Sequence, residues 1–330
     1  MKKPITPSPR VAALHRIQLS RLVVVAVAAM VLPLTARAQD DDVGRTQIDT
    51  TVRLDRGGAV DLSLISGRIR VTGWDRSDVK ISASIETGLL RFTANSSRVS
   101  LSVDDSDNGS RRGRRHNNVG DAQYDVSVPR GTRLILEAVS GDVTSKGSQG
   151  EIEASSVSGD VDVTDGVRTV SAESVSGSAH VAQVNGNLRT ETVSGDLRVE
   201  GVTGDVEASS VSGSLRLVGI QSKDVRTETV SGDIVYTGTI EPTGKYSFES
   251  HSGTVRLNIP RGAGAQFSVE TFSGDLQSDF PVRIEKGNLR REGRMEFTIG
   301  DGRAKITAQT FSGSIIINNG SDSTTRRDDE

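Results

Sequence analysis

The sequence predicts an all-β protein: a parallel β-solenoid with 18-residue coils, each made of two nine-residue units. Three observations carry this. Glycine returns every nine residues, at Gly141, Gly150, Gly159, Gly177, Gly186, Gly195, Gly204 and Gly213, with Arg168 in the one gap. Every second glycine closes a Val-Ser-Gly-(Asp/Ser) signature, whose serines Ser140, Ser158, Ser176, Ser194 and Ser212 are 18 apart. Between the glycines, apolar and polar residues alternate. A fixed period of this size marks stacked supersecondary units, and period-two alternation rich in β-branched residues marks strands.

The first 38 residues read as a secretory leader. Lys2, Lys3, Arg10, Arg16 and Arg21 precede an apolar run from Leu22 to Leu34, and Ala36-Arg37-Ala38 has the small-x-small form of a cleavage site. That run is short for a bilayer span, so the cleaved chain is expected to be periplasmic or extracellular and not to span the membrane. The chain has no Cys, which leaves neither a disulfide nor a lipidated thiol to hold it.

Residues 39–104 are expected to form an N-terminal strand region that caps the solenoid. It contains segments such as Ala59-Val60-Asp61-Leu62-Ser63-Leu64 and Val79-Lys80-Ile81-Ser82-Ala83, with Ser66-Gly67 as an early copy of the repeat corner. Residues 105–122 read as a disordered charged loop around Arg111-Arg112-Gly113-Arg114-Arg115. The solenoid proper is placed at 123–318, and 319–330 is read as a disordered tail. Beyond Gly213 the corners continue less regularly, at Ser231, Gly232, Ser252, Ser273, Gly274, Ser312 and Gly313, and Gly287 to Gly302 reads as a hairpin-like excursion.

Within a unit numbered from its glycine, positions three and five are apolar and four and six are polar, so three and five are expected to point inward. Position five is small in one half-coil (Ala154, Ala172, Thr190, Ala208) and larger in the other (Val163, Val181, Val199, Leu217). A small-residue sheet should therefore face a larger-residue sheet across a thin aliphatic interior. Position four of successive coils, Glu153, Ser171, Arg189, Glu207 and Arg226, should form a charge ladder. The corner glycines Gly141, Gly159, Gly177, Gly195, Gly213, Gly232, Gly274 and Gly313 are expected to need a positive φ. The serines before them are expected to bond neighbouring backbone at the turn.

Composition excludes several functions. The leader holds six of the 40 basic side chains and none of the 43 acidic ones, so the remainder carries 34 against 43, net −9. Such a surface is a poor partner for nucleic acid. Aromatic residues make up 3% of the chain, few for a sugar-binding cleft. The corner serines have no His or Lys at matching spacing, as a nucleophile requires. His116, His180 and His251 are not spaced with a second ligand as in a metal site. One Asp per corner is too few oxygens for calcium. No catalytic residue, cofactor or metal ligand is expected. Asp160, Asp162 and Asp165 form the nearest acidic cluster, and Thr190, Thr192, Thr227 and Thr229 hint at an ice-binding array.

The Val-Ser-Gly-Asp repeats, the segment Tyr124–Gly131 with its Val-Pro-Arg-Gly end, and Gly300-Asp301-Gly302 leading to Thr310-Phe311-Ser312-Gly313 resemble a bacterial family of adhesin-like, β-strand-repeat envelope proteins of undefined function. The resemblance covers roughly 46–318, and its motifs are structural corners. It implies an envelope interaction role and supplies no catalytic residues. The expected function is therefore an exported, non-enzymatic β-solenoid that binds an envelope or surface protein or glycan. The alternative is a polysaccharide-active β-helix lyase or hydrolase, and a third reading is a purely structural scaffold.

Overall fold

In the computed structural model, the described residues are 46–104, 119–281 and 294–320. The leader, the basic run at 111–115, His116 and the charged end at 321–330 lie outside them. The described residues form a β-solenoid. Parallel strands stack into two walls, and Ala59–Trp74 and Arg133–Lys146 run unbroken around a corner, joining the walls into one 24-stranded sheet.

The register follows the repeat. On the first wall Ile152 pairs Val170, Val170 pairs Leu188, and Leu188 pairs Val206. On the second, Val143 pairs Val161, Val161 pairs Ala179, and Ala179 pairs Leu197. Each step is 18 residues. Val206 then pairs Val225 and Val225 pairs Tyr246, so later coils absorb one and then three extra residues. The three-residue insertion is tied down by Tyr246. Its hydroxyl donates to the Ser222 carbonyl (2.6 Å) and accepts the Glu241 N–H (2.8 Å).

Positions three and five are buried on both walls, as pleating requires. Ala154, Ala172, Thr190 and Ala208 line one wall; Val163, Val181, Val199 and Leu217 line the other. The interior is not aliphatic throughout. Tyr236 packs on Phe248 (5.1 Å between centroids) and Tyr246 (6.1 Å), and Phe267 stacks on Phe297 (4.9 Å). The charge ladder falls in register, and Arg189 donates to Glu207 (2.8 Å) and pairs with Glu191.

Coil order departs from chain order at both ends. Ala304–Ser312 inserts between Lys245–Ser252 and Ala265–Ser273, and Ile315–Gly320 inserts between Val255–Pro260 and Leu276–Ser278. At the other end Ala59–Trp74 lies between Arg133–Lys146 on one side and Arg98–Asp104 with Ala122–Pro129 on the other. It is thus a coil of the stack, carrying its own Ser66-Gly67 corner. Antiparallel strands close the ends: Leu89–Ala94 on Arg98–Asp104, Asp78–Ile85 on Ala122–Pro129, and Arg294–Ile299 on Ala265–Ser273. These strands cover the outer edges of Arg98–Asp104, Ala122–Pro129 and Ala265–Ser273, which would otherwise offer free backbone groups. Two boundaries move: Ala122 already belongs to a strand and is fully buried, and Asn319 and Gly320 still pair with Ile259 and Pro260.

Candidate functional site

The two corners of the coil are built differently, and this decides what the surface presents. At the Val-Ser-Gly corner, position seven continues the inward alternation. Ser156, Ser174, Thr192 and Ser210 are buried there, and the hydroxyls satisfy corner carbonyls. Ser156 donates to the Gly141 oxygen (2.8 Å), Ser174 to Gly159 (3.0 Å), Thr192 to Gly195 (2.9 Å) and Ser250 to Gly232 (3.2 Å). With position seven inside, the valine at position eight and the serine at position nine face out. At the opposite corner, position seven takes a left-handed backbone: Asp165 (φ 62°), Gln183 (φ 56°), Gly201 (φ 63°) and Gly219 (φ 68°). That residue breaks the alternation, so Val184, Val202 and Ile220 turn inward and are buried.

The serines Ser140, Ser158, Ser176, Ser194, Ser212, Ser231, Ser252, Ser273 and Ser312 are exposed at the first corner. They stack in register wherever their strands pair, for example Ser176 with Ser194 and Ser252 with Ser312. The hydroxyls that bond the corner backbone belong to the buried position-seven residues, a correction to the role expected of the corner serines.

The glycines are also needed for a different reason. Gly141, Gly159, Gly177, Gly195, Gly213 and Gly232 do not have a positive φ; Gly67, Gly253, Gly274 and Gly313 do. What they share is close approach. A methyl on any of these glycines would stand under 3.0 Å from a backbone atom of the adjacent coil. The side chain would point along the axis into the neighbouring rung, where only hydrogen fits.

The Asp after the glycine holds the next coil. The Asp160 carboxylate accepts the Ser178 N–H (2.8 Å), Asp196 that of Ser214 (2.9 Å) and Asp233 that of Thr254 (2.7 Å). Asp160, Asp162 and Asp165 do not converge: the first caps this corner, the second lies on the outer face beside His180 (3.3 Å), and the third forms the opposite corner. His180 is flanked by carboxylates after all, with Asp162 on one neighbouring coil and Glu200 4.0 Å away on the other. Sequence spacing hid this because the neighbours are one coil distant. Among the described residues no group of three or more His, Asp or Glu is placed to hold a metal ion. Thr190, Thr192, Thr227 and Thr229 are all buried and present no threonine array to solvent.

The outward valines and their successors form a continuous ridge. Val139 (48% exposed), Val157 (37%) and Val175 (37%) lie at one end. Val193, Val211 and Val230 are half-buried. The column then changes character: His251 stacks on Phe311 (5.0 Å, 2°), and Phe311 on Phe272 (4.8 Å, 3°). Phe272 is 79% exposed. The inserted coil is what places Phe311 between His251 and Phe272, so chain order alone could not reveal the stack. Two open grooves, of about 530 Å³ beside Arg53 and Asp75 and about 470 Å³ beside Arg130 and Lys146, both lie away from the ridge.

Residues 58–318 match the Toastrack DUF4097 family. The chain belongs to this family. No curated protein matches it. Among solved structures, the Toastrack chain is similar to a candidate cell adhesion protein from Clostridium sporogenes (12% identity, 83% of this chain and 99% of that one, TM-score 0.24). It is also similar to a candidate adhesin from Bacteroides fragilis (13%, 82% and 96%, TM-score 0.35). A third is a candidate lipid-binding protein from Parabacteroides distasonis (12%, 81% and 96%, TM-score 0.41). At these values the likenesses carry no argument about what this Toastrack protein binds.

Proposed function

We propose that this Toastrack protein is an exported, non-enzymatic binding scaffold of the cell envelope, and that its contact surface is the Val-Ser-Gly corner ridge. The observation that carries the reading is the ridge itself: a line of outward apolar side chains along the stack, ending in three stacked rings. Contiguous exposed apolar surface of this kind marks interaction sites, and aromatic residues are enriched where partners bind. The leader-like start supports an envelope location, periplasmic or extracellular.

Photo-crosslinking in the native cell, followed by fractionation, tests this. Crosslinkers at Val175 and Phe311 are expected to give discrete adducts in the envelope fraction, and a crosslinker at Thr144 on the outer face is not. Recovery from the cytosol, or equal adducts from all three positions, would overturn the reading.

A further inference from the structure

The ridge runs between two acidic rails. On the first wall, the outward residue two places before the ridge position is Glu137, Glu173, Glu191, Glu228, Glu249 or Glu270 in six of the coils. Glu173 is directly paired with Glu191, and Glu228 with Glu249. On the second wall, the residue three places after the ridge position is Asp142, Asp160, Asp196, Asp233 or Asp275. Four coils, those of Val139, Val193, Val230 and Phe272, carry an acid on both sides. Arg68, bonded to Asp142 (3.8 Å), is the one basic residue in these two columns among the described residues. One column further from the ridge stand Arg189 and Arg226 on the first wall and Arg70, Arg198, Arg216 and Arg256 on the second; Arg189 reaches back to Glu191, and Arg70 pairs with Asp125. Burial and the neighbouring Glu249 charge hold Glu228 above the ordinary glutamate value, as expected where like charges are crowded.

A second copy of this chain is a poor occupant. Pairing two ridges would bring acidic rail against acidic rail, and like charges facing across an interface cost several kcal/mol. A glycan would use the exposed Phe272 ring but would leave the rails without a counterpart. We propose that the ridge docks a cationic amphipathic polypeptide, with an apolar stripe on the valine and phenylalanine column and flanking Lys or Arg on the Glu and Asp rails. From Val139 to Phe272 the column spans nine coils, so the occupant would follow about 38 Å at ~4.8 Å per coil. This rests on the binding reading above and names the chemistry of the partner.

The test is binding of a synthetic amphipathic Leu/Lys helix of roughly 26 residues, long enough for that span, to the purified full chain by fluorescence anisotropy. The controls are a Leu/Glu peptide of the same pattern and an oligolysine of the same charge. Expected results are saturable binding of the Leu/Lys peptide and at least tenfold weakening between 0.05 and 0.5 M salt. The double variant F272S/F311S and the double variant E228Q/E249Q should each weaken binding at least fivefold. All four positions face outward, so folding, checked by circular dichroism, should survive.

Equal binding of the Leu/Glu peptide, equal binding of oligolysine with no dependence on Phe272 and Phe311, or no saturable binding would each overturn the proposal. Sedimentation of the chain alone as a dimer that F272S/F311S dissolves would overturn it in favour of self-association. Any of these could occur while the crosslinks in cells persist, so the partner chemistry can fail without the binding role failing with it.

Discussion

Gly177 stands directly over Gly159: a methyl on Gly177 would lie under 3.0 Å from the Gly159 carbonyl oxygen. That oxygen also accepts the Ser174 hydroxyl at 3.0 Å, so it is held from one side and cannot easily yield. Gly177→Ala should therefore destabilise by at least about 2 kcal/mol, within the range for overpacking. Gly131 and Gly262 have nothing within 4 Å of the same position, and Ala there should be neutral or stabilising by up to about 1 kcal/mol through the unfolded chain. Urea unfolding of the three variants checks this, and equal effects would show that packing is not what demands glycine at the corner.

Ser174 and Ser176 are two residues apart and should behave differently. Ser174→Ala removes the partner of a corner carbonyl and should cost about 1 kcal/mol. Ser176 is exposed, and its change to Ala should stay within about 0.5 kcal/mol. A reversed order in chemical denaturation would return the structural role to the surface serines.

Gln183 adopts φ 56° where the coil above has Gly201 at φ 63°. An L side chain in this region is strained. Gln183→Gly should stabilise the protein by up to about 1 kcal/mol, and Gly201→Gln should destabilise it by a similar amount. Thermal unfolding with paired denaturant curves reads both signs, and a stabilising Gly201→Gln would contradict the account.

Glu228 has its pKa raised above 4.5 by burial and then by Glu249. The folded state thus holds this proton more tightly than the unfolded state. Between the unfolded and folded values the native state binds more protons, so the penalty is present at neutral pH. It is relieved as pH falls through the folded value, and it is absent below about 4.5. Glu228→Gln should stabilise at pH 7 by up to about 0.5 kcal/mol after solvent screening, and have little effect at low pH. Stability measured against pH for both proteins gives the comparison. A benefit that grows on acidification would be the wrong sign.

The repeating interior was legible because strand pleating has period two and the coil has period 18. Residues such as Val161, Val163, Leu197 and Val199 could be assigned inward from spacing alone, and so could the Arg189–Glu207 neighbours. The two corners were less legible. Valine at position eight looks the same at Val175 and Val184, yet one is exposed and the other buried. The difference lies in the left-handed residue before Val184, and Gln183 in sequence does not announce that conformation.

The sequence by itself determined the rung: its length, its inward residues and its small-residue corner, all consequences of local backbone geometry repeated every 18 residues. Tertiary structure alone decided the order of the end coils. Every rung offers nearly the same ladder of N–H and C=O groups to the next, so hydrogen bonding does not distinguish Lys245–Ser252 beside Ala265–Ser273 from Lys245–Ser252 beside Ala304–Ser312. Side-chain packing and the long returns between strands make that choice. It brings Phe311 between His251 and Phe272, residues distant in the chain, and completes the aromatic end of the ridge.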